Sequence, residues 1–492
     1  MHYAHGILNL YFTGLWQPGL PKDSLSKASN IFTKEEIAEY EIDVSEKSRD
    51  FSTALLNQNI HWETLTSSIR SSSVALWDSI FSSIGVAVSQ QLPFAAKIFT
   101  SIVALGSSLL ADKVKIPFLS SEFSFFKFGG RLIRSPLHFF DSFFSVLGED
   151  LSSSPRAGLL ALLGSAAALV KNLSFKDSLN FQMNYETING TVSKSVIHHI
   201  HSLLSTTATR FFKSTPVLAS LAALSSTATV LVLPKDIRSK QISWNLFDGV
   251  LGHGLIHFID SIYSSLGNKI SNLIPSVLSL PSSLALVFAC KNLHRISNVQ
   301  IAKLLQEKIP YPRLDGKLIR AMLHVPETIL FNLGDKLAES HSGQLFLGFL
   351  AAYGLIKPNH KIDLNTFTGL SDRLPVDLLQ AALTKLAGKL SVKIPSLPLM
   401  IFGPALAALI SSNLKPFSTK YTESHGLILK QFVNFWETLL SASANQLVRK
   451  VIPLGNQKYT GSVLADGRWI DSKGRILPSM VIGKQSMASS SS

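Results

Sequence analysis

Apolar side chains recur along this chain at the spacing of one helix face. The offsets are i, i+3, i+4, i+7 and i+11, which predict an amphipathic α-helix. The clearest copy is Phe140, Phe143, Phe144, Leu147 and Leu151. A second copy with the same offsets is Ile259, Ile262, Tyr263, Leu266 and Ile270. In both copies a histidine stands three positions before an acid, so polar residues recur with the apolar ones.

Five looser copies of this motif bring the total to seven. We call the position of the acid in the two clear copies the anchor, and the other copies have an acidic or polar residue there. Successive anchors lie 53 to 67 residues apart. The anchors are Asp78, Asp141, His201, Asp260, Glu327, Gln380 and Glu437. Self-similarity at such a period is the signature of a tandem array, in which each unit buries its apolar face on its neighbours.

An apolar segment rich in Ala, Ser and Gly follows each of the first six motifs. These segments are 94–111, 157–170, 217–233, 273–289, 344–356 and 397–412. Small side chains allow helices to approach closely, so we predict that each unit is a hairpin of a motif helix and an apolar helix. A polar connector with a lysine near its start follows each apolar segment. The six lysines are Lys113, Lys171, Lys235, Lys291, Lys357 and Lys415.

These lysines have two interpretations. Each could stabilise the C-terminus of the preceding helix through the macrodipole, by about 0.3–1 kcal/mol. Alternatively, repeats that stack in register would align the lysines as an anion-binding stripe. A net charge of +14 agrees with an anionic partner, either an acidic protein or an anionic lipid surface. Nucleic acid is not favoured, because the basic residues are not interleaved with exposed aromatic residues.

The patterns predict an all-α fold. We expect a tandem array of seven helix-hairpin repeats of about 60 residues each, either an open solenoid or a closed α/α toroid with the apolar helices inside. The array occupies 61–454, after a capping segment at 1–60. Residues 455–492 are predicted to hold a β-hairpin at Asp466-Gly467 and a disordered, Ser-rich tail. Short strands are also suggested in the connectors at 121–128 and 242–247.

Composition leaves membrane contact open, since 46% of residues are hydrophobic, 16% are charged and the mean hydropathy is +0.25. Three apolar segments have an uncharged run of about 20 residues, the length that spans a bilayer. The other three, which begin after Lys97, Arg156 and His341, have runs of only 14 or 15 residues. Equivalent repeats should share one topology, so we favour buried core helices over a membrane protein.

The expected location is a reducing compartment, with membrane association left open. The single cysteine, Cys290, excludes an intrachain disulfide and a zinc site built on cysteines. Residues 1–8 lack the basic and apolar regions of a classical secretory signal.

Pairs of histidine and acid at i and i+3 share a helix face, and such pairs can serve as a general base or as metal ligands. The pairs are His138/Asp141, His257/Asp260 and His324/Glu327. Catalysis needs one constellation, whereas these pairs recur, so we interpret them as polar contacts that pack one repeat on the next. We predict no enzyme activity, no metal and no cofactor.

The sequence therefore predicts a non-enzymatic helical-repeat scaffold that binds an acidic protein or an anionic membrane surface, and that can assemble with other copies or subunits. One alternative is a polytopic membrane protein, a channel or carrier, built from the same hairpins. A second is an α/α-toroid enzyme with Asp363, Asp372 and Asp377 at one mouth.

Overall fold

The computed structural model is predominantly helical, which confirms the predicted class. It describes residues 64–110, 116–124, 126–174, 182–217, 234–296, 308–356, 365–395 and 424–451, isolated positions within 50–59, 220–224, 363 and 398–406, and the pairs 462–463, 469–470 and 476–477. These residues belong to two compact units. One comprises Met1–His61 and Ser124–Ile133, and the other comprises Trp62–Phe123 and Arg134–Ser492.

Helices that carry the motif alternate with apolar helices along much of the described chain. In chain order they are α1 (Leu65–Gln91), α2 (Phe94–Leu110), α3 (Phe128–Arg134), α4 (His138–Leu151), α5 (Pro155–Ser174), α6 (Ile188–Ser214), α7 (Lys235–Arg238), α8 (Phe247–Leu273), α9 (Ser279–Ile296), α10 (Leu314–Leu337), α11 (His341–Ile356), α12 (Phe367–Lys393) and α13 (Ser424–Val451). Helices α1, α4, α6, α8, α10, α12 and α13 contain the seven anchors and are called the motif helices. The apolar helices α2, α5, α9 and α11 are called the outer helices.

Three two-residue strands follow the helices. Strand β1 (Ser462–Val463) pairs antiparallel with β2 (Trp469–Ile470), which pairs antiparallel with β3 (Ile476–Leu477). The predicted turn at Asp466-Gly467 and the Ser-rich tail lie outside the described residues, as do residues 1–49 of the predicted cap.

The motif helices pack on one another in chain order, and the last packs on the first. The packed pairs are α1–α4, α4–α6, α6–α8, α8–α10, α10–α12, α12–α13 and α13–α1. At the last contact, Leu76 of α1 is buried in one cluster with Leu440 and Ala444 of α13. Ser83 Oγ also donates a hydrogen bond to Asn445 Oδ1 across this contact. Every motif helix therefore has two other motif helices as neighbours.

A small residue seven positions after each anchor lets neighbouring motif helices come together. These residues are Gly85, Gly148, Ala208, Gly267, Gly334, Ala387 and Ala444. A Cβ added at Gly148 would meet the carbonyl oxygen of His199 on α6 far inside van der Waals contact. The glycines at 85, 267 and 334 face backbone carbonyls of the next motif helix in the same way. Backbone contact of this kind requires glycine or alanine, which explains the small residues in the motif.

The connectors join neighbouring repeats at the N-terminal ends of the motif helices. The second unit has four isolated antiparallel bridges, Glu122↔Thr187, Gln182↔Leu246, Gln241↔Arg313 and Lys308↔Thr366. Each joins the residue 19 positions before one anchor to the residue 14 positions before the next. Where the sequence suggested short strands, the described connectors have single bridges, because the chain enters the next helix at once. The first unit has one bridge of its own, Asn59↔Lys127.

The outer helices are not the core that their composition suggests. They pack one face on motif helices, as α5 does on α8 and α9 does on α12. The opposite face is open: Phe99, Leu160, Phe288 and Phe349, one from each outer helix, are all 69% exposed. The expectation that the apolar helices fill the inside of the array is therefore wrong for the described outer helices. Close packing among the motif helices leaves the outer helices as a second layer with only one covered face.

Candidate functional site

The buried face of the motif helices is polar. Positions three and seven residues before the anchor, together with the anchor itself, fall on one face of a helix. In six repeats, the position seven residues before the anchor holds Arg134, Lys194, His253, Arg320, Arg373 or Lys430. In the same repeats, the position three residues before the anchor holds His138, His198, His257, His324, Asp377 or Asn434. Most of these side chains are buried, so each junction between motif helices contains charged groups.

The pair His138 and Asp141 lies at a junction between repeats. His138 Nδ1 is 3.4 Å from Asp141 Oδ2 on the same helix, and His138 Nε2 is 3.6 Å from Asp78 Oδ2 on α1. Serines complete the contacts of both acids. Ser135 Oγ donates to Asp78 Oδ1 at 2.5 Å, and Ser195 Oγ of α6 donates to Asp141 Oδ1. The carboxylates of the first two anchors therefore accept hydrogen bonds from the following repeat.

The pair His324 and Glu327 includes a third residue of the same helix, Arg320, which forms an ion pair with Glu327. His324 Nδ1 lies 2.9 Å from Glu327 Oε2, and Arg320 Nη1 lies 2.7 Å from Glu327 Oε1. All three side chains are buried. A buried carboxylate is tolerated when its charge is paired, and Glu327 is paired with Arg320 and hydrogen-bonded to His324.

The pair His257 and Asp260 has a different environment, between α8 and α10. Asp260 Oδ2 is 3.9 Å from His257 Nδ1, and neither Asp260 oxygen has a hydrogen-bond partner among the described residues. Lys317 Nζ also lacks such a partner and lies 3.3 Å from the centre of the Trp244 ring. Both nitrogens of His253 are unpartnered. These five residues lie together, and three of them, His253, Asp260 and Lys317, bury polar atoms that have no hydrogen-bond partner among the described residues.

Sequence reasoning identified His257 and Asp260 but missed Lys317 and His253. A signal for His253 was present, since aligning the seven anchors shows a basic column seven positions earlier. Lys317 gives a weaker signal because most of the other repeats have no cation at that position, ten residues before the anchor. Its meeting with Trp244, which belongs to the preceding connector, follows only from the packing of α8 on α10.

Three of the six predicted lysines lie within the described residues. Lys171 lies half-buried in the last turn of α5, Lys235 opens α7, and Lys291 lies inside α9 rather than after it. Lys113, Lys357 and Lys415 lie outside the described residues, so the anion-binding stripe stays a prediction. Other lysines do bind helix C-termini. Lys240 Nζ donates to the carbonyl of Leu173, and Lys336 Nζ donates to the carbonyls of Ser271 and Ile274 at 2.7 and 2.6 Å.

We expect Lys336→Met to lower the free energy of unfolding by about 1–2 kcal/mol, because two charge-assisted hydrogen bonds to the end of α8 are lost. The matched control is Lys389→Met. Lys389 occupies the same place in its repeat, nine residues after the anchor, but is exposed and makes no hydrogen bond among the described residues. Chemical unfolding of both variants under identical conditions measures the difference in the free energy of unfolding, and equal midpoints would contradict this role of Lys336.

The acids of the toroid-enzyme alternative do not form a cluster in the described residues. Asp363 is exposed in a connector and accepts a hydrogen bond from the Asn365 backbone at 2.9 Å. Asp377 is buried on α12, where Arg373 Nε lies 3.3 Å from its Oδ1. In the part of the chain that is described, no group of three or more His, Cys, Asp or Glu side chains is placed to hold a metal ion.

No family model, curated protein or solved structure matches this chain. The function must therefore be inferred from the arrangement of its own residues.

Proposed function

We propose that the chain is a non-enzymatic, membrane-embedded structural protein, in which seven hairpin repeats close into an α/α toroid whose outer helices face lipid. The observation that carries this proposal is the distribution of polarity. Each described outer helix exposes large apolar side chains, while the motif helices bury Asp, His, Lys and Arg. A water-soluble protein has the opposite distribution. Apolar surface that protein does not cover is typical of contact with a membrane or a partner.

Closure of the toroid is supported by the packing of α13 on α1. An open solenoid would leave those two helices with free faces. The bridges at identical offsets and the small residue seven positions after each anchor support the assignment of seven equivalent repeats.

The charges that interrupt the apolar segments in the sequence do not face outward in α2. Lys97 is buried and its Nζ forms an ion pair with Asp150 of α4, so the exposed face of α2 is apolar. Arg156 and His341 stand in the first turns of α5 and α11, where a long side chain reaches the membrane interface. The short uncharged runs therefore do not count against lipid contact.

Length supports the same proposal. Within the described residues, two helical segments are long and apolar enough to cross a membrane. Ser67–Gln91 belongs to the motif helix α1 and is mostly buried in the protein, whereas Pro155–Leu173 belongs to the outer helix α5 and is mostly uncovered. Helix α5 has 20 residues, and 1.5 Å per residue gives about 30 Å, the thickness of the hydrocarbon core.

The proposed arrangement also accounts for the recurrent lysines of the connectors. The described outer helices end, and the motif helices begin, at the connectors. We therefore propose that the basic residues of the connectors lie toward one end of the toroid. The opposite end has short turns such as 152–154 and 274–275. Lysines at the level of lipid headgroups attract anionic lipids. The proposal therefore retains an anionic lipid surface as the partner that the net charge predicts.

The test is alkaline carbonate extraction of membranes from cells that express the full chain, followed by flotation of the pellet through a density gradient. We expect the protein to stay in the pellet and then to float with lipid. Release into the supernatant would overturn the proposal. A pellet that fails to float would also overturn it, because that behaviour identifies an aggregate.

A topology prediction follows from the two ends of the toroid. In a Cys290→Ala background, Ser153→Cys lies in an exposed turn and Asp363→Cys in an exposed connector at the other end. We expect a membrane-impermeant maleimide to label only one of the two in sealed vesicles, and both after detergent permeabilisation. Equal labelling of both cysteines in sealed vesicles would show that no bilayer separates the turn at Ser153 from the connector at Asp363.

A further inference from the structure

The interface between α8 and α10 is polar along most of its length. It begins with His253 and Lys317, continues through His257 and Asp260, and ends with Asn268 and Ser271. At the far end, Asn332 Nδ2 donates to Asn268 Oδ1 at 2.6 Å and to Ser271 Oγ at 2.8 Å. His253 and Ser271 are 18 residues apart on one helix, about 27 Å at 1.5 Å per residue. That length is close to the hydrocarbon thickness of a bilayer, about 30 Å.

Unpartnered polar atoms are concentrated at this interface. Among the described residues, those without a hydrogen-bond partner here are His253 Nδ1 and Nε2, both Asp260 oxygens, Ser264 Oγ, Lys317 Nζ, His324 Nε2 and Thr328 Oγ1. A buried polar atom left without a partner costs about 1–3 kcal/mol. Proteins satisfy such groups with internal water, which needs two to four polar partners. This interface offers that many partners at successive levels.

Asp260 differs from the other acidic anchors. Asp78 and Asp141 accept hydrogen bonds from serines of the next repeat, and Glu327 is bound by Arg320 and His324. Asp260 is fully buried, yet its carboxylate accepts no hydrogen bond from the described protein. A carboxylate in that position can take up a proton and release it without breaking a structural contact.

We propose that the α8–α10 interface is a proton-transfer pathway, in which internal water links His253 and Lys317 to Asp260 and then to the Ser264–Asn268 end. This inference rests on the membrane position proposed above. A proton from the connector side binds the Asp260 carboxylate, and the same carboxyl later gives a proton to water on the other side. Each cycle restores the group, so the net change is one proton moved down its gradient.

Protons suit this path better than larger ions. The side chains of His253, Asp260 and Lys317 are buried, and Gly267 of α8 packs directly on Val325 and Thr328 of α10. Packing this close excludes a hydrated ion from the interface. Ionisable residues placed inside a membrane protein commonly mark proton relays of this type.

The experiment uses the purified full chain in liposomes that contain a pH-sensitive dye, with a potassium gradient and valinomycin to drive proton entry. Flotation measures insertion of each variant. We expect proton flux well above that of empty liposomes, and Asp260→Asn should reduce the flux at least about tenfold. Asp260→Glu, which retains a carboxyl, should restore it to within about threefold. The control Asp236→Asn removes an exposed carboxylate from the short helix α7 and should leave the flux unchanged.

The outcomes separate this inference from the membrane proposal. A chain that floats but gives the flux of empty liposomes overturns the pathway and leaves the membrane position intact. A chain that does not float overturns both. Full flux in Asp260→Asn overturns the role of Asp260, and loss of flux in Asp260→Glu as well as in Asp260→Asn would assign the effect to packing instead of proton transfer.

Discussion

Gly148→Leu is expected to prevent α4 and α6 from packing and to destabilise the fold by about 3 kcal/mol or more. A Cβ at this position meets the His199 carbonyl and lies 2.9 Å from the Leu203 amide nitrogen. Both are backbone atoms of a regular helix, so no side-chain rotation can make room for the new group. Native proteins have a free energy of unfolding of about 5–15 kcal/mol, so the substitution removes a large fraction of it. Thermal unfolding followed by circular dichroism measures it.

The control for this prediction is Gly388→Leu. Gly388 also lies in a motif helix, but a Cβ there meets nothing within 4 Å. Because glycine in a helix interior is less favourable than alanine by about 0.8–1 kcal/mol, we expect Gly388→Leu to leave the stability unchanged or to raise it. Equal melting temperatures for the two variants would show that the motif helices do not touch at the small residues.

The contacts around Gly148 show how much of the fold the sequence predicts. The glycine belongs to the repeated motif, and a regular apolar spacing is enough to predict the helix that carries it. The sequence does not decide between a solenoid and a toroid, which differ in the contact between the last and the first motif helix. That contact depends on pairs such as Ser83 and Asn445, which are far apart in sequence and have no local pattern that indicates their meeting.

The outer helices were misassigned for a related reason. Hydropathy measures how apolar a segment is, but it does not determine what covers each face. Lys97 looks like an interruption of an apolar run, yet its side chain turns inward to Asp150. The contact depends on how α2 packs on its neighbours, which composition cannot supply.

The candidate site was predicted in part. The i, i+3 rule found His257 and Asp260, because both lie on one helix. It could not distinguish Asp260 from Asp141, since the difference lies in what the next repeat offers: Ser195 donates to Asp141, and nothing described donates to Asp260. Whether the acid of such a pair accepts a hydrogen bond from the neighbouring helix therefore follows only from the packing of the helices.

A chain with Phe99→Lys, Leu160→Lys, Phe288→Lys and Phe349→Lys is expected to lose its retention in membranes. These four exposed side chains lie one on each described outer helix. A lysine near the centre of a membrane helix costs about 2.5–3.5 kcal/mol on insertion scales, so four of them oppose insertion by roughly 10 kcal/mol or more. Carbonate extraction and flotation of this chain, beside the unmodified one, measure the effect.

The matched control carries the same four added charges at exposed polar positions outside the outer helices, as Ser120→Lys, Ser153→Lys, Ser239→Lys and Ser340→Lys. We expect it to float like the unmodified chain, since lysines near the headgroups are favourable. If the outer faces instead met water, the four lysines on the outer helices would not change the flotation of the chain either. A lysine in place of an exposed apolar residue costs nothing in solvent. Equal flotation of the two sets would therefore reject lipid contact, whatever the closure of the toroid.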